Sequence, residues 1–103
     1  MYFILTTYPN KPRDLKRFIL GMVKSKLAAC VQRIQYVKSY YIWEDKFEQN
    51  EEKILIIKGD DKNKEKIIQY IQKNHPYDVP EIISLKPDEV NEAYLNWVKG
   101  GVK

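Results

Sequence analysis

AACVQRIQYVKSYYIWEDKFEQNEEKILIIK, residues 28–58, decides the fold. β-Branched and aromatic residues dominate this stretch and neither Pro nor Gly interrupts it. It therefore reads as two long antiparallel strands joined at the charged segment WEDK, residues 43–46. A first strand over Ala28–Trp43 would reach roughly 50 Å at ~3.3 Å per residue, where strands usually run for about 5–6 residues. The second strand closes on the apolar run Ile54–Ile57 and ends at Lys58. A hairpin of this length in a chain of 103 residues needs something to cover its far end.

Upstream, Tyr2–Thr7 (YFILTT) is almost wholly apolar, the pattern of a strand flanked on both sides. YPNKP marks a turn, with Asn10 placed to cap a helix and Pro12 suited to the first helical turn, where a missing N–H costs nothing. Leu15, Phe18, Ile19, Met22 and Val23 then recur every three or four residues, so Arg13–Lys24 reads as a helix with one buried stripe. Gly21 inside it suggests a close approach of helix to sheet.

Downstream, GDDKNKEK is a polar break with Asp60 or Asp61 as helix cap and Glu65 in the first turn. Ile67, Ile68, Tyr70 and Ile71 form a second apolar stripe, ending near Asn74 because Pro76 disfavours helical geometry at His75. HPYDVPE is a proline-stiffened connection, Glu81–Lys86 a short strand, and Val90, Tyr94, Leu95 and Val98 the stripe of a terminal helix. The order β-α-β-β-α-β-α gives an α+β fold, a ferredoxin-like split-βαβ antiparallel sheet with a long central hairpin and a short C-terminal helix, in a single domain over residues 1–103. A helix of ~14 residues is only ~21 Å long. Tyr40, Tyr41, Ile42, Trp43 and Phe47 on the far half of the hairpin would lie bare on a monomer, so they are expected at an interface between copies.

Composition narrows the function. At 44% hydrophobic and 31% charged the chain is an ordinary globular protein. No apolar run approaches the ~20 residues of a membrane span, and MYFILTTYP has neither the basic start nor the cleavage site of a signal peptide, so a cytoplasmic location is expected. The single cysteine, Cys30, cannot pair within the chain, which suits a reducing compartment. A net charge of +4 permits nucleic-acid contact, but KILIIKGD lacks the aromatics of an RNA-binding strand, and no nucleic-acid partner is expected. One histidine, no nucleophile–base pair and no glycine-rich phosphate loop argue against an enzyme.

KLAACV (26–31), SYYIWEDK (39–46), Lys58, HPYDVPEI (75–82) and NEAYLNWV (91–98) together resemble the CutA family of divalent-cation tolerance proteins, in order and over nearly the whole chain. The family commonly has Asn where this chain has Gln32, and Gly in the hairpin turn where it has Asp45, a residue that tolerates left-handed geometry. The resemblance implies a homotrimer whose long hairpins build sheets between subunits. It also implies weak binding of copper or another divalent cation between subunits, with no tightly bound cofactor. His75, Glu81 and Cys30 are then the candidate metal donors. The chain has no CxxC or HxxxH, and the plain alternatives are a small buried hydrophobe in a central strand for Cys30 and a helix-terminus residue for His75. Lys58, Glu52 and Tyr77, with Glu81, are candidates to line a ligand groove, the alternative being a structural ion pair of Lys58 with Glu52 or Glu81. A small-ligand signalling module similar to PII proteins is the second functional expectation. Any site is expected where the hairpin meets the HPYDVPE loop of an adjacent chain.

Overall fold

In the computed structural model, which describes all of residues 1–103, the elements are β1 (Tyr2–Pro9), α1 (Pro12–Lys24), β2 (Cys30–Trp43), β3 (Lys46–Gly59), a 3-10 turn (Asp61–Asn63), α2 (Lys64–Asn74), β4 (Ile83–Leu85) and α3 (Glu92–Gly100). The four strands form one antiparallel sheet in the order β2-β3-β1-β4. This is the ferredoxin-like arrangement, with the two long strands side by side as a hairpin and β1 in a central position.

Strict alternation along β1 explains the layering. Tyr2, Ile4, Thr6 and Tyr8 are buried and the residues between them half-buried. Across β3 the same side carries Leu55 and Ile57, paired with Thr6 and Ile4. Leu15, Phe18 and Met22 of α1, with Ile67 and Ile71 of α2, close over that side as the core. Each such side chain contributes about 1.5–3 kcal/mol by leaving water.

Three local expectations are corrected. Lys11, not Asn10, is the N-cap of α1 and offers no side-chain hydrogen bond. The Lys11 N–H instead donates to the Pro9 carbonyl (2.7 Å), a tight turn that leaves Asn10 outside the helix. Gly21 allows a close approach of α1 to α2 rather than to the sheet: a Cβ there would land on the Tyr70 hydroxyl, with ring carbon Cζ 3.0 Å away. That hydroxyl donates to the Phe18 carbonyl (2.9 Å), so ring and glycine fix the spacing of the two helices. The last strand is three residues, not six, because the segment before it stays irregular after Pro80. Asp60 does cap the turn ahead of α2, accepting from the Lys62 N–H at 3.5 Å.

The hairpin runs the length of the molecule: 14 residues per strand correspond to about 46 Å, and the longest dimension is 45 Å. Its register holds a bulge. Ile34 faces Ile54, yet Val37 faces Glu52, so Gln35 and Tyr36 together oppose Lys53. The Lys53 ammonium lies 4.9 Å from the centre of the Tyr36 ring. Beyond the bulge neither helix reaches, and Tyr40, Ile42, Trp43 and Phe47 are exposed, with Tyr40 stacked on Phe47 at 6.3 Å.

At the tip, Glu44 and Asp45 both have positive φ, 49° and 64°, as a two-residue hairpin turn matched to the twist of its strands requires. Asp45 tolerates this geometry, but Glu44 does not adopt it freely. Replacing the pair by Asn-Gly should raise stability by about 1 kcal/mol, seen as a higher denaturant midpoint at unchanged slope; an unchanged or lower midpoint would refute the strain.

The sheet face opposite the helices has little cover. Leu5, Ile54 and Ile56 are half-buried, and Ile34, Ile83 and Leu85 are exposed. α3 packs only at the Lys58 end of β3: Val98 is buried, and the C-terminus is tied down by the Lys103 N–H donating to the Lys26 carbonyl (3.1 Å).

Candidate functional site

A cleft of about 830 Å³ opens on this second face, between the far half of the hairpin and the loop after α2. The loop is anchored through His75. α2 ends at Asn74, and Pro76 holds His75 extended (ψ 141°), which turns its ring inward against Tyr8, Phe18 and Tyr77 at 5.2, 5.9 and 4.9 Å. Nδ1 accepts from the Tyr77 N–H (3.0 Å), so the proton sits on Nε2, which donates to the Thr7 carbonyl (2.6 Å). Both ring nitrogens are thereby engaged. His75 ties the loop to the edge of β1 beyond the end of β4.

From that anchor Tyr77 reaches across to the sheet and donates its hydroxyl to Glu52 Oε2 at 3.0 Å. Burial, then this hydrogen bond, then the charge of Glu52 push the Tyr77 hydroxyl up to about 12. The fold therefore favours the neutral phenol. Its contribution to stability is complete below the ordinary tyrosine value of 10.0 and is lost as pH rises from there through about 12. Burial raises Tyr2, Tyr8 and Tyr70 as well. Stability should fall across that alkaline window, and less steeply in a Tyr77→Phe chain; equal slopes in urea melts of the two would show that Tyr77 does not titrate as its surroundings dictate.

The remaining wall of the cleft comes from the hairpin: Ser39, Tyr41 and Trp43 on β2, Glu48 and Asn50 on β3. These side chains fall in one row because Ser39 pairs with Asn50 and Tyr41 with Glu48. The Asn50 amide donates to the Tyr41 hydroxyl. Asp78 and Glu81 complete the loop side.

The expected sites divide. Glu52, Tyr77 and Glu81 meet at the cleft within one chain, as do Tyr40, Tyr41 and Trp43. Within one chain Lys58 does not join them. It lies six residues from Glu52 on the same strand, about 20 Å away, opposite Cys30, with its ammonium 5.6 Å from the centre of the Tyr94 ring. The ion pair of Lys58 with Glu52 or Glu81 is absent; the chain's one ion pair within 4.0 Å joins the N-terminus to Asp61 (3.7 Å). Cys30 is half-buried on edge strand β2, not in a central strand. His75 reaches β1 at Thr7, whose partner Ile54 stands four residues, about 13 Å, from the Lys58–Cys30 pair. No three of the His, Cys, Asp and Glu side chains form a group able to hold a metal ion. Within one chain the donors do not fit a tight metal site. Ile42 and Phe47 lie on the other side of the hairpin from the Tyr41 row. The anchoring role of His75 between Thr7 and Tyr77 was missed from sequence, where the isolated histidine drew attention as a ligand.

The fold and the cleft define a class: ferredoxin-like proteins whose central hairpin outgrows the subunit and carries a cleft at its far end. The model of the family described as CutA1 divalent ion tolerance protein matches residues 2–100, and the chain belongs to this family. It is 34% identical over 98 residues to the divalent-cation tolerance protein CutA of Pyrococcus horikoshii, covering 95% of this chain and 94% of that one. The chloroplastic protein CutA 1 of Oryza sativa is 36% identical over 100 residues, covering 97% of this chain. The chain spans only 54–60% of the plant and Xenopus laevis relatives it matches. The crystal structure of CutA1 from Pyrococcus horikoshii superposes with a TM-score of 0.92 at 32% identity, covering 100% of this chain and 99% of that one. For CutA1 from Oryza sativa the TM-score is 0.92 at 35% identity, covering 99% and 93%.

Proposed function

We propose that this chain acts as a homotrimer in the tolerance of divalent cations, in the cytoplasm, and that copper or another divalent cation meets it weakly where subunits join. The uncovered second face of the sheet carries the assembly half of this reading. Leu5, Ile54, Ile56, Ile83 and Leu85 make one apolar surface beside two unpaired strand edges, a combination that single subunits rarely leave in water. The number three follows the resemblance to CutA proteins. Light scattering at micromolar concentration should give three times 12.3 kDa; a stable monomer would end the proposal.

For the metal, Glu81 is exposed whereas both nitrogens of His75 are spent. In copper titrations of the assembled protein, Glu81→Gln should weaken binding and His75→Ala should leave it nearly unchanged. The His75→Ala chain should instead lose about 1–3 kcal/mol of stability, since it leaves the part-buried Thr7 carbonyl and Tyr77 N–H without these partners. The opposite pattern would restore His75 as a ligand. The names its relatives carry describe tolerance rather than a reaction, and we assign no catalytic step.

A second reading, a small-ligand module of PII type, is favoured by the cleft, whose volume falls in the range of small-molecule sites.

A further inference from the structure

Positive charge is gathered in one part of this chain. Residues 11–26 hold six of its 18 Lys and Arg but only one of its 14 Asp and Glu, so the remainder, with 12 against 13, is close to neutral. The pI of about 9.1 therefore originates in α1 and its ends. At ~100° per residue, Arg13, Arg17 and Lys24 fall within about 40° of one another, roughly opposite the buried Leu15, Phe18 and Met22. Lys16 flanks them, and all four are exposed. Asp14, the one acid of the helix, comes within 4.0 Å of none of them.

α2 continues this face. Its Tyr70 packs on α1 at Gly21 and Phe18, and the exposed Lys66 and Lys73 stand about 40–60° around the helix from Tyr70, on the outer side. α1 begins beyond Pro9 and α2 beyond Gly59, which pairs with Tyr2 at the other end of β1, so the two helices run antiparallel. Lys66 is thus toward the Lys24 end of α1 and Lys73 toward the Arg13 end. Two rows of cations flank the junction of the helices, over roughly 16 Å from Arg13 to Lys24 at ~1.5 Å per residue. The helices cover the side of the sheet that holds Ile4 and Ile57, away from Leu5, Ile54 and Ile56. They stay turned outward when copies meet through the bare side.

Like charges four residues apart, such as Arg13 and Arg17, weaken a helix, and a polyanion converts that repulsion into attraction. The cations are spread along a line instead of converging on a point, which suits an extended anion better than a small one. The apolar stripe of α1 is spent on the core, so the face has nothing to insert among lipids. None of the chain's exposed aromatic rings lies on α1 or α2, so an unpaired base finds no ring to stack on. A nucleic-acid duplex needs neither, since it presents rows of phosphates with one charge per ~1.7 Å of axis. A basic stripe along a helix, in a domain whose pI exceeds 9, is the footprint of such backbone contact.

We propose that the outer face of α1 and α2 docks the phosphate backbone of double-stranded nucleic acid without reading its sequence. The sheet still lacks the aromatics of an RNA-binding strand, and the contact is to phosphates alone.

The test is fluorescence anisotropy of the intact assembled protein with a labelled DNA duplex of about 24 base pairs, at several concentrations of potassium chloride. With about five phosphates neutralised, affinity should fall several hundredfold between about 50 and 200 mM salt, whatever the sequence of the duplex. Arg17→Gln and Lys24→Gln should each weaken binding about threefold or more and lower the salt slope by about one. Asp14→Asn should tighten it. Lys99→Gln, which removes the same charge from α3, should change neither affinity nor slope. All four positions are exposed, and each chain should keep the wild-type circular dichroism and assembly. An equal loss in Lys99→Gln would tie binding to net charge and not to this face, and would overturn the proposal, as would no binding at the lowest salt. A single strand of the same length bound more tightly than the duplex, or phosphatidylserine vesicles bound in its place, would overturn the class of partner.

Discussion

An Ile57→Ala chain is expected to lose about 3–5 kcal/mol of stability, the upper range for removing a branched side chain from a closed core. Ile57 is fully buried, pairs with Ile4 on β1 and Val31 on β2, and lies in the same cluster as Leu15 and Ile67 of the helices above it. Three elements converge on it, so the cavity left by truncation cannot close by moving one of them. Domains of this size are stable by only about 5–15 kcal/mol, and the loss would consume a large part of that. Denaturant melts at one fixed protein concentration would measure it, since assembly makes the midpoint depend on concentration. Ile57→Val should cost only about 1 kcal/mol. A loss below about 1 kcal/mol for the alanine chain would mean that the helices do not seal this side of the sheet.

One residue earlier the expectation reverses. Ile56 lies between Leu5 and Gln32 on the face the helices leave bare. Ile56→Lys should keep the subunit's circular dichroism, because a half-exposed position lets the ammonium reach water. It should abolish assembly, because each copy would have to bury an unpaired charge at the joint, at several kcal/mol per copy. Light scattering should then return 12.3 kDa. An assembled Ile56→Lys protein would show that copies meet elsewhere. Neighbouring isoleucines thus separate folding from assembly, one unfolding the subunit when shortened and the other releasing it when charged.

The element order was legible because its signals are local. Helical spacing from Leu15 to Val23, the polar break at Asp60, and Pro76 directly after His75 each act within a few residues, and α2 ends at Asn74 as expected. The length of the hairpin was legible for the same reason. Register was not. Nothing in Gln35–Tyr36 marks a bulge, since neither residue is Gly or Pro, and the extra residue shows only when Glu52 is found opposite Val37. Lys58 and Glu52 were grouped by the resemblance to CutA proteins, and within one chain the strand they share separates them by most of the width of the domain. Gly21 gave the right signal, a close approach, with the wrong partner, because the sequence does not say which neighbour the helix turns toward. The cleft was half legible: its loop and hairpin were both singled out, but their meeting within one chain depends on the turn of His75 toward Thr7.

The bulge gives β2 two phases. Before it, even-numbered residues such as Gln32 and Ile34 share a side with Ile54 and Ile56; after it, odd-numbered Ser39, Tyr41 and Trp43 occupy that side. The strand behaves like a message whose frame shifts once. Deleting either Gln35 or Tyr36 would leave one residue opposite Lys53 and keep the pairing on both sides, Val31 with Ile57 and Tyr41 with Glu48, so Tyr41 and Trp43 would still face the cleft. One residue with no role in the core is thus taken up inside the hairpin without disturbing the pairing on either side of it.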